Sequence, residues 1–193
     1  MGFGILGALV SKVFFPQETN RSGEVIAGYC KKLNISREEV NKAASEFRLP
    51  HVSALNVVLL KHIYSIHLAV QMKNSARKLF ERGEDGDERR KIFELVFISR
   101  FIEIAMNNFN VKTSAEEFYN SFSPYMNEMD GEMLAYEKHH LGPFFGAAKR
   151  YIKIVTGDEV HDELMFEAAS DIAFRTTQLS KHFETLYDGG DRF

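Results

Sequence analysis

The chain has 193 residues, a net charge of −3, 45% hydrophobic and 26% charged side chains, the make-up of a soluble globular protein able to bury a sizeable core. Cys30 is its one cysteine, which excludes an intrachain disulfide and points to a reducing compartment. The longest basic runs, Lys31-Lys32 and Arg89-Arg90-Lys91, exclude a dense nucleic-acid-binding arm. Charge is nonetheless uneven: residues 1–83 carry 12 Lys/Arg against 6 Asp/Glu, and residues 84–193 carry 12 against 21. A basic front half either meets an anionic partner or faces the acidic back half.

Residues 1–16 open as MGFGILGALVSKVFF and stop at Pro16. As a helix, Phe3, Ile5, Leu6, Leu9, Val10, Val13 and Phe14 cover about half the circumference, beside a stripe of Gly4, Gly7, Ala8 and Ser11. Its length of about 20 Å falls short of a bilayer core of about 30 Å. It lacks the basic start and small-residue cleavage site of a secretory signal, and Leu6 stands where myristoylation wants Ser or Thr. Three readings stay open: a core helix, a helix that pairs with a partner or second copy, and a helix in a membrane surface. On the second, Phe3, Leu6, Leu9, Val10, Val13 and Phe14 are the contact residues.

Residues 17–187 read as an all-helical domain, with 188–193 a frayed tail. Ser22 caps a helix carrying Val25, Ile26, Tyr29, Cys30 and Leu33. Ser36 and Glu39 have capping-box spacing ahead of Val40, Ala43, Ala44 and Phe47. After Pro50 a long helix is expected from about Ser53 to Arg82, with Leu55, Val58, Leu59, Ile63, Ile66, Val70 and Leu79 inward. GEDGDE is a linker, and a second long helix is expected from about Glu88 to Phe109. Ser114 and Glu117 form another capping box, opening a short helix through Phe118 and Phe122, and Ser123-Pro124 starts the next segment. LGPFFG breaks that segment, Pro143 starts a helix ending near Gly157, and the last helix runs from about Asp158 to Tyr187. The expectation is an all-α fold: a single compact domain of about eight helices, two or three of them long and central.

Candidate chemistry is sparse. Glu137/His140 and Asp158/His161 have the acid-x-x-His spacing of di-iron bundles, and Glu94 and Glu103 lie on a long helix. The helix between the two motifs separates them by about 21 Å, so neither a metal nor a cofactor is expected from them. His62 sits on an apolar helix face, a haem-ligand position that a hydrogen-bonded core histidine fills far more often. Met126, Met129 and Met133, with His140 further along, form a stripe that packs a core or lines a ligand site. Residues 43–57 have helix-turn-helix spacing, but no Lys or Arg follows Pro50 until Lys61, which disfavours nucleic acid. No phosphate-binding glycine loop, zinc motif, redox CxxC or serine-hydrolase elbow is present, and EDGDERRKIFE lacks the ligands of a calcium loop.

These features point to a cytoplasmic, non-catalytic interaction protein that uses its apolar N-terminal helix for self-association or partner binding, with peripheral membrane contact left open. The alternatives are a ligand- or metal-binding protein or enzyme with a pocket between helices, at His62, Met126, Met129, Met133 and His140, and a DNA-binding regulator using segment 43–57.

Overall fold

The computed structural model describes residues 28, 30–31, 33–71, 86–114, 116–118, 120–121, 124, 142–157 and 162–188. The opening helix, the methionine stripe with His140, and the tail beyond 188 lie outside the described residues. Everything described is helix, turn or irregular chain, so the all-α expectation holds. Five helices are described end to end: α1 Arg37–Glu46, α2 His51–Gln71, α3 Gly86–Asn108, α4 Gly142–Thr156 and α5 Asp162–Asp188. The expected count of about eight includes segments outside these residues. The chain divides into two compact units, one drawn from Met1–Asn34, Ala69–Tyr119 and Leu179–Phe193, the other from Ile35–Leu68 and Asn120–Gln178.

In the second unit, α1 begins at Ser36, whose extended backbone and hydroxyl cap the helix by accepting the Glu39 amide at 3.0 Å. It ends in a Schellman turn: the Leu49 amide donates to Ala44 and the Arg48 amide to Ser45, with Arg48 at φ 51°. Pro50 follows, and its carbonyl accepts the Ala54 amide at 2.9 Å, so α2 starts at His51, two residues before the expected Ser53. Val40 and Ala43 are the buried residues of α1.

Helix α2 departs from the one-faced reading. Leu55, Val58, Leu59, Ile63, Ile66 and Val70 are buried as expected, and so are Ala54, Val57, Leu60, Tyr64, Ser65, Leu68 and Ala69. From Ala54 to Val70 the helix is closed to solvent nearly all round, so its apolar residues show no sharp 3.6-residue stripe. It is long and apolar enough to cross a bilayer by composition, but 78% of its most apolar window is buried inside the protein, as in a core helix. Each fully buried Leu or Ile here contributes about 1.5–3 kcal/mol relative to exposure. On α4 and α5, Ala147, Ala148, Ala168 and Ala169 are buried, small residues that permit close helix packing. Thr176 on α5 donates to the Ser65 carbonyl of α2 at 3.4 Å.

In the first unit, Phe97, Ile98, Phe101, Ile102, Ala105 and Met106 line the buried face of α3. Cys30 is fully buried and its thiol points to the Phe97 carbonyl at 3.7 Å. Helix α3 also ends in a Schellman turn, Val111 donating to Met106 and Asn110 to Asn107, here with Asn110 in the left-handed region at φ 55°. Beyond it the Ser114–Glu117 capping box closes in both directions at 3.1 Å.

Candidate functional site

The chemistry-bearing cluster lies in the second unit, where α1, α2 and α5 converge. Glu39 is half a capping box: its amide is capped by Ser36, but its carboxylate does not return to Ser36 as Glu117 returns to Ser114. It turns inward instead. Arg175 Nη2 of α5 donates to Glu39 Oε1 at 2.6 Å, and Arg175 Nε donates to Asp171 one turn earlier at 3.1 Å. Lys61 of α2 meets the other Asp171 oxygen at 2.6 Å and stands 3.8 Å from Glu39. Two cations and two carboxylates thus neutralise one another.

His62, beside Lys61, is buried with Nε2 at 2.9 Å from Arg175 Nη1 and at 3.3 and 3.5 Å from the Glu39 oxygens. A guanidinium only donates, so Nε2 is the acceptor and the proton of the neutral ring sits on Nδ1. Burial, with the Arg175 and Lys61 charges adding to it, outweighs the Glu39 carboxylate and lowers the His62 pKa. For Glu39 burial pushes upward, but the hydrogen-bonded Arg175 cation and the nearby Lys61 cation outweigh it and hold the carboxylate below its ordinary range. Asp171 follows the same logic, with Lys61 and Arg175 overcoming its burial. Both carboxylates are ionised and the imidazole is neutral across physiological pH.

Above this cluster opens a cleft of about 840 Å³. Glu39, Ala43 and Phe47, at spacing four along α1, form one inner wall, and Ala168, Asp171 and Arg175 of α5 another. Val58 and Lys61 of α2, Tyr151 and Ile152 of α4 and Leu164 of α5 complete the interior. The rim carries Glu38, Lys42 and Glu46 of α1, and Glu167, Ser170 and Phe174 of α5. Phe47 and Tyr151 meet edge to face at 6.5 Å. Burial, then the Glu46 and Asp171 charges, raises the Tyr151 pKa, so its hydroxyl keeps its proton. Phe174 stands 64% exposed at the edge.

The arrangement is poorly suited to acid–base or nucleophilic work. No histidine lines the cleft, His62 has its Nε2 turned to Arg175, the carboxylates are already partnered, and the Ser36 hydroxyl caps α1. Among the described residues no group of three His, Cys, Asp or Glu side chains is placed to hold a metal. Glu103, one of the sequence-suggested carboxylates, pairs with Arg100 at 2.6 Å on the surface. Of the suggested ligand residues only His62 is described, and among the described residues it meets Glu39 and Arg175. Met126, Met129, Met133 and His140 lie outside the described residues, as do Phe3, Leu6, Leu9, Val10, Val13 and Phe14. In segment 43–57, His51 and Val52 are exposed at the start of α2, while Lys61, the first cation after Pro50, points into the ion cluster.

Sequence reasoning passed over Glu39, Lys61, Asp171 and Arg175. A signal on α5 was present: Asp171 and Arg175 form an acid-to-base pair at spacing four beside Ala168 and Ile172, a charged pair bordering a helix's apolar face. Set against known proteins, the chain matches no family, no curated protein and no solved structure.

Proposed function

We propose that this protein works by recognition rather than catalysis, and that the cleft over Glu39, Lys61, Asp171 and Arg175 is a binding surface. The observation that carries this reading is the pairing within the cleft. Its interior charges are matched to each other, Arg175 to Glu39 and Lys61 to Asp171, while Phe174 stands exposed at the edge and Phe47 and Leu164 are half-buried. A catalytic site keeps a titratable group poised toward substrate, and a recognition site keeps apolar area and a few ordered polar groups. The reading joins two sequence expectations, an interaction protein and a pocket between helices, and keeps residues 3–14 as a second contact surface for a protein partner or second copy. It also keeps the fuller count of about eight helices in a single domain, and places the protein in the cytoplasm because Cys30 has no partner cysteine.

The test is heteronuclear NMR of the full chain against a panel of amphipathic peptides and small aromatic ligands. Saturable shifts at Phe47, Tyr151 and Phe174, lost in Phe174→Asp, are the expected result. A turnover activity abolished by Glu39→Gln but untouched by Phe174→Asp would refute the non-catalytic reading.

A further inference from the structure

Resting on that reading of the cleft, we infer that its occupant is a basic amphipathic helix of a protein partner. The first argument is charge. With the inner quartet of Glu39, Asp171, Lys61 and Arg175 neutral as a set, the rim carries Glu38, Glu46 and Glu167 against Lys42 alone, a net of −2. Glu38 and Glu46 are eight residues apart on α1, about 12 Å along its axis. That separation matches Lys or Arg residues placed two turns apart on a docked helix. Lys42 reaches Glu167 at 3.7 Å, but both side chains are 71% and 65% exposed, so the pair is weak and an incoming cation can replace Lys42.

The second argument is backbone chemistry. No strand lines the cleft, so an extended peptide would bring amide groups with no strand edge to pair them. A helix satisfies its own amides and presents side chains only. Its apolar face would meet the half-buried Phe47 and Leu164, and its cations the rim acids. Phe174 at the edge suits either an apolar anchor or the face-on approach of Arg or Lys.

Fluorescence anisotropy tests this with the full chain and a labelled helix of about 18 residues, leucine at i, i+3, i+4 and i+7 and lysine elsewhere. Its control is the same peptide with glutamate in place of lysine. The lysine helix should bind at least about tenfold tighter than the glutamate helix, and weaken as salt is raised from about 50 to 300 mM. Phe174→Asp should weaken it about tenfold or more, and Glu38→Lys and Glu46→Lys about threefold each. Phe166→Asp, at an exposed aromatic outside the cleft lining, should leave it unchanged. Lys42→Glu should tighten binding, a gain that loss of folding cannot mimic.

Equal affinity for the two peptides, or indifference to Phe174→Asp, overturns the inference. So does a concentration-dependent dimer broken by Phe174→Asp, which would give the cleft to a second copy. If neither peptide binds while small ligands shift the cleft resonances, the basic-helix inference falls and the recognition reading stands. If no ligand shifts them, both fall.

Discussion

Replacing Arg175 with Met removes a side chain that touches Glu39, Asp171 and His62 together. It donates to Glu39 at 2.6 Å, to Asp171 at 3.1 Å and to His62 Nε2 at 2.9 Å. A hydrogen bond to a charged group contributes about 1.5–3 kcal/mol, but these do not simply add. Asp171 keeps Lys61 at 2.6 Å, whereas Glu39 keeps the 3.8 Å contact with Lys61 and His62 Nε2 at 3.3 Å. Arg175 is also 25% exposed, so water screens part of the interaction. The destabilisation expected is therefore about 2–3 kcal/mol, below the roughly 3–5 kcal/mol of a fully buried charge stripped of its partner. For a chain of this length that is a fall of about 5–10 °C in Tm. Arg175→Lys keeps the charge but cannot reach three partners from one fork, and should lose about 1–2 kcal/mol.

Urea denaturation of wild type, Arg175→Met, Glu39→Gln and the double variant gives the coupling directly, expected at about 1–2 kcal/mol. The spectroscopic signature is at His62. Without the guanidinium, Nε2 can take a proton and donate to Glu39, so an NMR titration should show the His62 pKa rising relative to wild type. A loss under about 0.5 kcal/mol, the scale of an exposed pair such as Lys42–Glu167, would refute the reasoning. So would zero coupling, or a His62 pKa that does not move.

Acidification should destabilise the fold in two stages, because His62, Glu39 and Asp171 all have pKa values below their ordinary ones. Each unfolded group takes up its proton first. The His62 contribution is therefore present above about pH 6.5 and lost below it, and the carboxylate contribution is lost below about pH 4. Each proton difference steepens the fall by about 1.4 kcal/mol per pH unit, and urea midpoints of His62→Gln should lack the first stage. Cys30 is fully buried and its thiol pKa is pushed up to about 12, chiefly by desolvation. Its labelling by a thiol reagent at about pH 8 should be at least about a hundredfold slower in native than in denatured protein; comparable rates would show the site open. Arg48 holds a left-handed conformation that glycine adopts without strain, so Arg48→Gly should stabilise by about 0.5–1 kcal/mol in the same denaturation assay. Ser36→Ala removes the α1 cap and should destabilise by about 1 kcal/mol, and no change would mean that the cap contributes nothing there.

The all-helical fold was legible because capping and breaking residues are local signals. Ser36 and Ser114 cap where their spacing to Glu39 and Glu117 says they should, and α3 and α4 end within a residue of the expected Phe109 and Gly157. The start of α2 lies two residues before the expected Ser53 because Pro50 supplies the first carbonyl acceptor itself. Burial of α2 on nearly every side was not legible either. An all-round apolar helix and a one-faced helix share the same three-and-four spacing, and Tyr64 or Ser65 does not declare its environment in sequence.

The site was hidden for a different reason. Glu39 has a complete local explanation as a capping-box acid, and the residue that redirects it, Arg175, lies 136 positions away. Local spacing cannot distinguish the closed box at Glu117 from the open one at Glu39, since both satisfy the same rule. The better clue was on α2. Across His51–Gln71 the sole Lys, Arg, Asp or Glu is Lys61, immediately beside His62, in a helix otherwise apolar enough to be buried throughout. A fixed charge in such a helix must meet an opposite charge or be left unpaired in the core. Weighing His62 alone gave a hydrogen-bonded core histidine without naming its partners. Lys61 with His62 would have directed attention to a carboxylate, and the open choice among acids would have been narrowed by Asp171, the one already set in helical spacing to another cation.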